Sequence, residues 1–153
     1  MDKFPRLKLA WAAGIIDGEG CILLNLNPKR QTYTLRVSVT NTDPKMLKEL
    51  KSIFGGSIQA ANCRNDKAHW KSKWMWVLTC KQADKALSAL LPYLITKKDQ
   101  AQTALIFKTL HRKRGGVAGV LVPGNNKLFE EQEWLANQLK TMKHESLIES
   151  KVL

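Results

Sequence analysis

Polar and apolar residues change their spacing several times along the chain, and each change marks a predicted element. Leu7, Trp11, Gly14 and Ile15 recur at three and four, which predicts a short helix over 7–16 that ends in Asp17-Gly18-Glu19-Gly20. Strict alternation follows. Ile22, Leu24 and Leu26 fall on one side of a strand, with Cys21, Leu23, Asn25, Asn27 and Lys29 on the other. Past a loop over 28–31, a second strand sends Tyr33, Leu35, Val37 and Val39 inward, and Thr32, Thr34, Arg36, Ser38 and Thr40 outward. Its outer face is wholly polar.

Asp43 followed by Pro44 is an N-cap and an N1 proline, opening a helix with Leu47, Leu50 and Phe54 on one face and a stop at Gly55-Gly56. A second hairpin is predicted from strands over about 57–64 and 70–79. Trp70, Trp74 and Trp76 share one parity of the fourth strand and Lys71, Lys73, Met75 and Val77 the other, so the tryptophans pack under helices or line the outer face. Helical spacing returns over 82–91, again over about 98–114, and last over about 129–143, with a loop at 117–127. The order αββαββα followed by further helices predicts an α+β fold with an antiparallel sheet. One domain over 1–153 is expected, with a core at about 7–114 and a C-terminal helical segment at about 117–153.

With 44% apolar and 25% charged residues the chain can bury a core. The charge adds a partner. Lys and Arg number 25 against 13 Asp and Glu, and the excess lies before residue 115; the rest holds four basic and five acidic side chains. A polyanion on the basic part gains affinity by counterion release, so nucleic acid is the first partner to consider and an anionic membrane the second. Three cysteines in an unexceptional composition argue against a disulfide framework and for a reducing compartment. No cleavable leader and no apolar run of the ~20 residues of a membrane span is visible, so a soluble, intracellular protein is expected.

The stretch Ala12-Ala13-Gly14-Ile15-Ile16-Asp17-Gly18-Glu19-Gly20 is the most informative. Ala10, Gly14 and Gly18 recur every four residues, a side-chain-poor stripe that lets another backbone approach closely. Were two copies packed on that stripe, two Glu19 carboxylates would meet near the pair's axis, and close carboxylates bind divalent cations. The plainer alternative is a core helix with a glycine stop.

These residues resemble the signature of the LAGLIDADG homing endonucleases, and the strand order after them matches that family over about residues 7–144. The Phe54-Gly55-Gly56-Ser57-Ile58 turn and the Leu91-Pro92-Tyr93-Leu94 run before Lys97 also match. The resemblance implies that Glu19, with Gly18 beside it, holds Mg²⁺ (Mn²⁺ as a possible substitute) at the scissile phosphates. It implies that Asn41 positions the attacking water, that Lys45 is the neighbouring basic residue, and that Lys97 stabilises the phosphate or activates water. Asn41 as a turn former and Lys45 as an exposed first-turn residue stay open. A chain with one signature motif implies a homodimer in which the motif helices pair through Ala10, Gly14 and Gly18.

The implied reaction is a staggered double-strand break with 3′ overhangs at a long, nearly palindromic DNA site, serving intron or intein homing. In-line phosphodiester hydrolysis needs charge compensation at the phosphate and leaving oxygen, and no protein nucleophile. The strand faces suit double-stranded DNA on their own terms. A twisted antiparallel ribbon fits the major groove, and between Cys21 and Thr40 there is no acid. Asn25, Asn27, Lys29, Arg30, Gln31, Thr32, Thr34, Arg36, Ser38 and Thr40 form the expected DNA-reading set on the first hairpin, with Gln59 and Arg64 on the second and Lys71 and Lys73 toward phosphates. Arg112, Lys113 and Arg114 either complement a helix dipole or contact phosphate. No Cys-x-x-Cys pair and no phosphate-binding glycine motif is present, so no zinc enzyme, nucleotide enzyme or other small-molecule substrate is expected. Two rivals remain, an RNA-binding intron maturase and a non-cleaving DNA-binding protein of the same fold.

Overall fold

The computed structural model describes residues 5–29, 32–61, 72–112 and 126–149. Helix α1 (Arg6–Glu19) runs into strand β1 (Gly20–Asn27); then come β2 (Thr32–Asn41), α2 (Pro44–Phe54), β3 (Ser57–Ala61), β4 (Lys73–Thr79), α3 (Cys80–Leu90), α4 (Lys98–Arg112) and α5 (Asn126–Glu149). The expected α+β order αββαββα plus helices is what the chain adopts. The last helix is longer than its apolar spacing predicts, starting at Asn126 rather than 129 and ending at Glu149 rather than 143.

The strands form one antiparallel sheet in the order β1-β2-β4-β3. Gly20 lies opposite Val39, Arg36 opposite Thr79, and Ser57 opposite Val77, which fixes the two faces. Ile22, Leu24, Tyr33, Leu35, Val37, Val39, Trp76 and Leu78 point to the helices and are buried there with Ala12, Ala13 and Ile16 of α1. Leu47, Leu50, Ala83, Leu87 and Leu90 continue the same core, as do Leu135, Ala136 and Leu139 of α5.

Two positions depart from strict alternation. Leu26, expected inward with Ile22 and Leu24, is 44% exposed because the tip of edge strand β1 outruns the helical layer; its cross-strand partner Tyr33 is covered by Phe129 of α5, ring centroids 5.6 Å apart. On β4 Trp76 is fully buried, its indole N–H donating to the Gly55 carbonyl at 2.9 Å, while Trp74 is 39% exposed nearer the strand's start. Trp70 lies outside the described residues.

Asp43 caps α2 as its sequence predicts, accepting the Lys45 backbone N–H. The helix ends on Gly55 and Gly56, both at positive φ (78° and 86°), and a Cβ on Gly56 would sit 2.5 Å from the Val77 carbonyl oxygen. Only glycine lets β3 come alongside β4 there. No helix among the described residues is long and apolar enough to cross a membrane.

Candidate active site and nucleic-acid interface

Helix α1 carries its periodicity through Asp17, Gly18 and Glu19 and becomes β1 at Gly20 with no loop between. Gly20 lets the chain turn so abruptly: its N–H bonds back to the Ile16 carbonyl, and a Cβ there would lie 2.5 Å from that oxygen. The result is an acid held at a rigid junction. Glu19 is exposed, and among the described residues its carboxylate makes no hydrogen bond or ion pair.

The Lys97 segment is tied to the same junction from 80 residues away. The Asp17 carboxylate accepts the Ile95 N–H on Oδ2 and the Lys97 N–H on Oδ1, both at 2.8 Å. The Lys97 ammonium turns back and donates to the carbonyls of Ile16 at 2.9 Å and Asp17 at 2.6 Å. The Ile16 carbonyl already accepts the Gly20 N–H and takes Lys97 as a second donor, whereas the Asp17 carbonyl lies in the last turn where acceptors lack helical partners, so Lys97 caps α1 while standing beside Glu19. Burial lowers its affinity for a proton, opposed by the charges of Asp17, Cys21 and Glu19, with nearby Lys143 adding to the lowering. Asp17 had no assigned role in the sequence; its partners are too remote for any local pattern to reveal them.

Asn41 and Lys45 lie farther along the same end of the sheet. With Gly20 opposite Val39, Asn41 projects past the start of β1. Its Oδ1 accepts the Asp43 N–H at 2.8 Å, an Asx turn that feeds the α2 cap. Lys45 is exposed in the first turn of α2. The turn-forming and first-turn readings thus describe their geometry.

On the outer face of the sheet, Asn25, Asn27, Lys29 and Gln59 are exposed, and Thr32, Thr34, Arg36, Thr40 and Lys73 are half-buried. Ser38 is only 7% exposed, set between Cys21 and Val77 on the adjacent strands, so this short side chain lies beneath its neighbours. Arg30, Gln31, Arg64 and Lys71 fall outside the described residues. Arg36 is held in place by an Nη2 contact to the Met75 sulfur at 3.3 Å, and its buried Nε has no hydrogen-bond partner among the described residues. It lines an open depression of about 450 Å³ with Asn25, Asn27, Lys29, Thr34 and Thr79. Met75 and Val77 share this face, so the sheet as a whole is less polar than β2 alone.

The opposite side of α1 is bare. Leu9, Ala12, Ala13 and Ile16 are buried, whereas Leu7 (86% exposed), Ala10, Trp11 (39%), Gly14 and Gly18 line an outward stripe. A Cβ added at Gly14 or Gly18 would meet nothing within 4 Å. The stripe expected from the sequence exists as a surface.

No protein-family model matches the sequence. No curated protein matches it either. Solved structures do. The homing endonuclease I-CvuI, in complex with DNA, superposes with a TM-score of 0.70 at 22% identity, over 90% of this chain and 82% of that one. The archaeal intron-encoded homing endonuclease I-Vdi141I, complexed with DNA, gives 0.69 at 16% identity over 90% and 84%. The LAGLIDADG homing endonuclease I-GzeII, also with DNA, gives 0.64 at 17% identity over 84% of this chain and 43% of that one. A helix that ends in an acid, enters an antiparallel β1-β2-β4-β3 sheet and carries its other helices on one face is thus the fold of the LAGLIDADG homing endonucleases.

Proposed function

We propose that this protein is a site-specific DNA endonuclease that works as a homodimer and makes a staggered double-strand break at a long, nearly palindromic site. The observation that carries this is the α1–β1 junction: an exposed, unpaired Glu19 beside a bound lysine, directly beneath a bare stripe of Ala10, Gly14 and Gly18. A helix surface with two glycines, a leucine and a tryptophan exposed is matched by a second copy of itself under two-fold symmetry. Pairing places the two Glu19 side chains near one axis and spreads two sheets along one major groove.

The donor set fits a hard divalent cation, though only in part per chain. Glu19 offers a carboxylate and Gly18 a last-turn carbonyl, the oxygen ligands Mg²⁺ takes. Among the described residues no three His, Cys, Asp or Glu gather in one place. Glu19 and Gly18 of both subunits would together hold a cation there. When bound, Mg²⁺ (or Mn²⁺) supplies charge compensation on the scissile phosphate. The chain's own residues do the rest. Glu19 holds the cation, Lys97 brings a positive charge to the phosphate side, Asn41 and Lys45 line the approach, and the outer sheet face reads the duplex. Arg36, Asn25, Asn27 and Gln59 are long enough to reach base edges from that face. Propagation of an intron or intein into an uninterrupted allele is the biological role such a break serves.

The test is incubation of a randomised duplex library with Mg²⁺ and either the wild type or Glu19→Gln, followed by sequencing of new ends. Wild type should yield paired staggered ends centred on one pseudo-palindromic motif, and Glu19→Gln should retain binding to that motif without cutting. Equal cleavage by Glu19→Gln, or no cleavage by wild type, would overturn the proposal.

A further inference from the structure

Asp17 is a half-buried acid that the chemistry proposed above does not use. Its two oxygens each take one backbone N–H, Oδ2 from Ile95 and Oδ1 from Lys97, both at 2.8 Å. The two N–H groups lie two residues apart on a stretch outside the regular helices and strands, just before α4 starts at Lys98. On one side of that stretch Leu94 is buried, and on the other the Lys97 carbonyl accepts the Ala101 N–H of α4. Ile95 is 86% exposed, so its side chain does little to hold the segment against α1. The carboxylate is the hold.

That hold fixes where a long side chain begins. A lysine carries its ammonium on a flexible four-carbon stem, so the charge keeps one position only when both ends of the stem are fixed. Asp17 fixes the Lys97 backbone, and the carbonyls of Ile16 and Asp17 fix the tip, at 2.9 and 2.6 Å. The charge of Glu19, two residues beyond Asp17, then bears on that ammonium. An ionised carboxylate has two acceptor oxygens and no donor, whereas asparagine would set its NH₂ against one of the two N–H groups. Resting on the endonuclease reading above, we propose that Asp17 is a positioning residue for DNA cleavage: by gripping the Ile95 and Lys97 N–H groups it sets the Lys97 ammonium beside Glu19, and it acts on cutting only through Lys97. A displacement of about 1 Å in such a group costs about 10²-fold in rate.

The experiment separates binding from cutting on the duplex that wild type selects. Affinity in Ca²⁺, single-turnover cutting in Mg²⁺ at saturating protein, and thermal unfolding are measured for wild type, Asp17→Asn, Lys97→Met and the double variant. Asp17→Asn should bind within about twofold of wild type and cut at least about tenfold more slowly. In the Lys97→Met background it should cost no further factor, because the group it positions is gone. An acid that serves only the fold gives the opposite pattern: binding falls together with cutting as folded protein is lost, and the two defects multiply. Ile95→Pro reaches the same grip from the other side, deleting one N–H while Asp17 stays, and its exposed side chain gives up no core contact. It should reproduce the slow cutting and decides the question if Asp17→Asn does not fold. Undiminished cutting by either folded variant, or multiplied defects in the double variant, would overturn the assignment. Wild type that cuts no duplex brings down the endonuclease reading itself and this role with it, a result distinct from any difference between variants.

Discussion

Replacing Gly14 and Gly18 by alanine should push the stability of the isolated subunit and the stability of the dimer in opposite directions. Neither glycine has positive φ, and an added methyl meets no atom within 4 Å at either position. Inside one subunit the substitutions therefore act as plain Gly→Ala changes in a helix, each worth about 0.8–1 kcal/mol of stabilisation. At about 2.1 cal/mol/K of unfolding entropy per residue, the 153-residue chain gains about 3 °C per kcal/mol, so the double variant should melt about 5–6 °C higher as a monomer. In a two-fold dimer packed on the stripe, each methyl enters the contact twice. Overpacking costs about 1–3 kcal/mol per site, so Gly14→Ala alone should weaken association by about 2 kcal/mol or more, roughly 30-fold in dissociation constant. Sedimentation velocity across a concentration series measures the second quantity, and thermal unfolding below the dissociation constant the first, since association itself raises the apparent midpoint. A double variant that melts higher but dimerises as tightly as wild type would show that the stripe is not the interface. One that melts lower would show that the helix face is covered by the chain's own residues.

The other predictions rest on single contacts. Asp17→Ala removes the acceptor of two backbone N–H groups, each bond to a charged group worth about 1.5–3 kcal/mol, so unfolding in urea should show a loss of about 3 kcal/mol; a loss under 1 kcal/mol would mean the 95–97 segment is held by something else. Arg36→Ala should relax preference at one base-pair position by about 1–3 kcal/mol in a binding selection, whereas an equal loss on every sequence would mark Arg36 as a phosphate contact. Burial lowers the Lys97 pKa below the ordinary lysine value, so the folded state binds that proton less tightly than the unfolded state. Stability should then rise with pH from the folded pKa to the unfolded one, and Lys97→Met should flatten the rise; an identical pH slope in the variant would contradict this. Glu19→Gln should leave the fold intact, or stabilise it slightly, and should tighten duplex binding in EDTA while abolishing cleavage in Mg²⁺.

What could be read from the chain was whatever is written in neighbouring residues. Alternation at Tyr33, Leu35, Val37 and Val39 places all four in the core, Asp43-Pro44 opens α2, and the four-residue spacing of Ala10, Gly14 and Gly18 is an exposed stripe. Leu26 escaped the pattern because period-two spacing gives a side of the sheet and cannot say where the helices covering that side stop. The long-range parts of the site were illegible for a similar reason. Asp17 meets Lys97 across 80 residues and Cys21 meets Lys143 across 122, and neither separation leaves any periodic trace. A lysine after Pro92-Tyr93-Leu94 could be singled out by resemblance; that it caps α1 through two carbonyls depends on the packing of α1 against the turn before α4.

The α1 terminus sets two acids against its own helix dipole. A helix C-terminus carries partial negative charge and favours Lys, Arg or His, worth about 0.3–1 kcal/mol, yet the last turn of α1 holds Asp17 and Glu19 and no basic residue. Asp17 is answered by two N–H groups from the 95–97 segment, and the carbonyls by the Lys97 ammonium. Glu19 makes no hydrogen bond or ion pair among the described residues and has only the nearby charge of Lys97. An exposed acid with no hydrogen bond of its own at a helix terminus that disfavours it points to a requirement outside the folded subunit. A protein that only bound duplex DNA would gain by losing it, because a carboxylate at a phosphate repels. The acid is useful only with a cation between it and the phosphate. This is why Glu19→Gln should improve metal-free binding and end cleavage, two effects of opposite sign that a merely structural residue would not produce together.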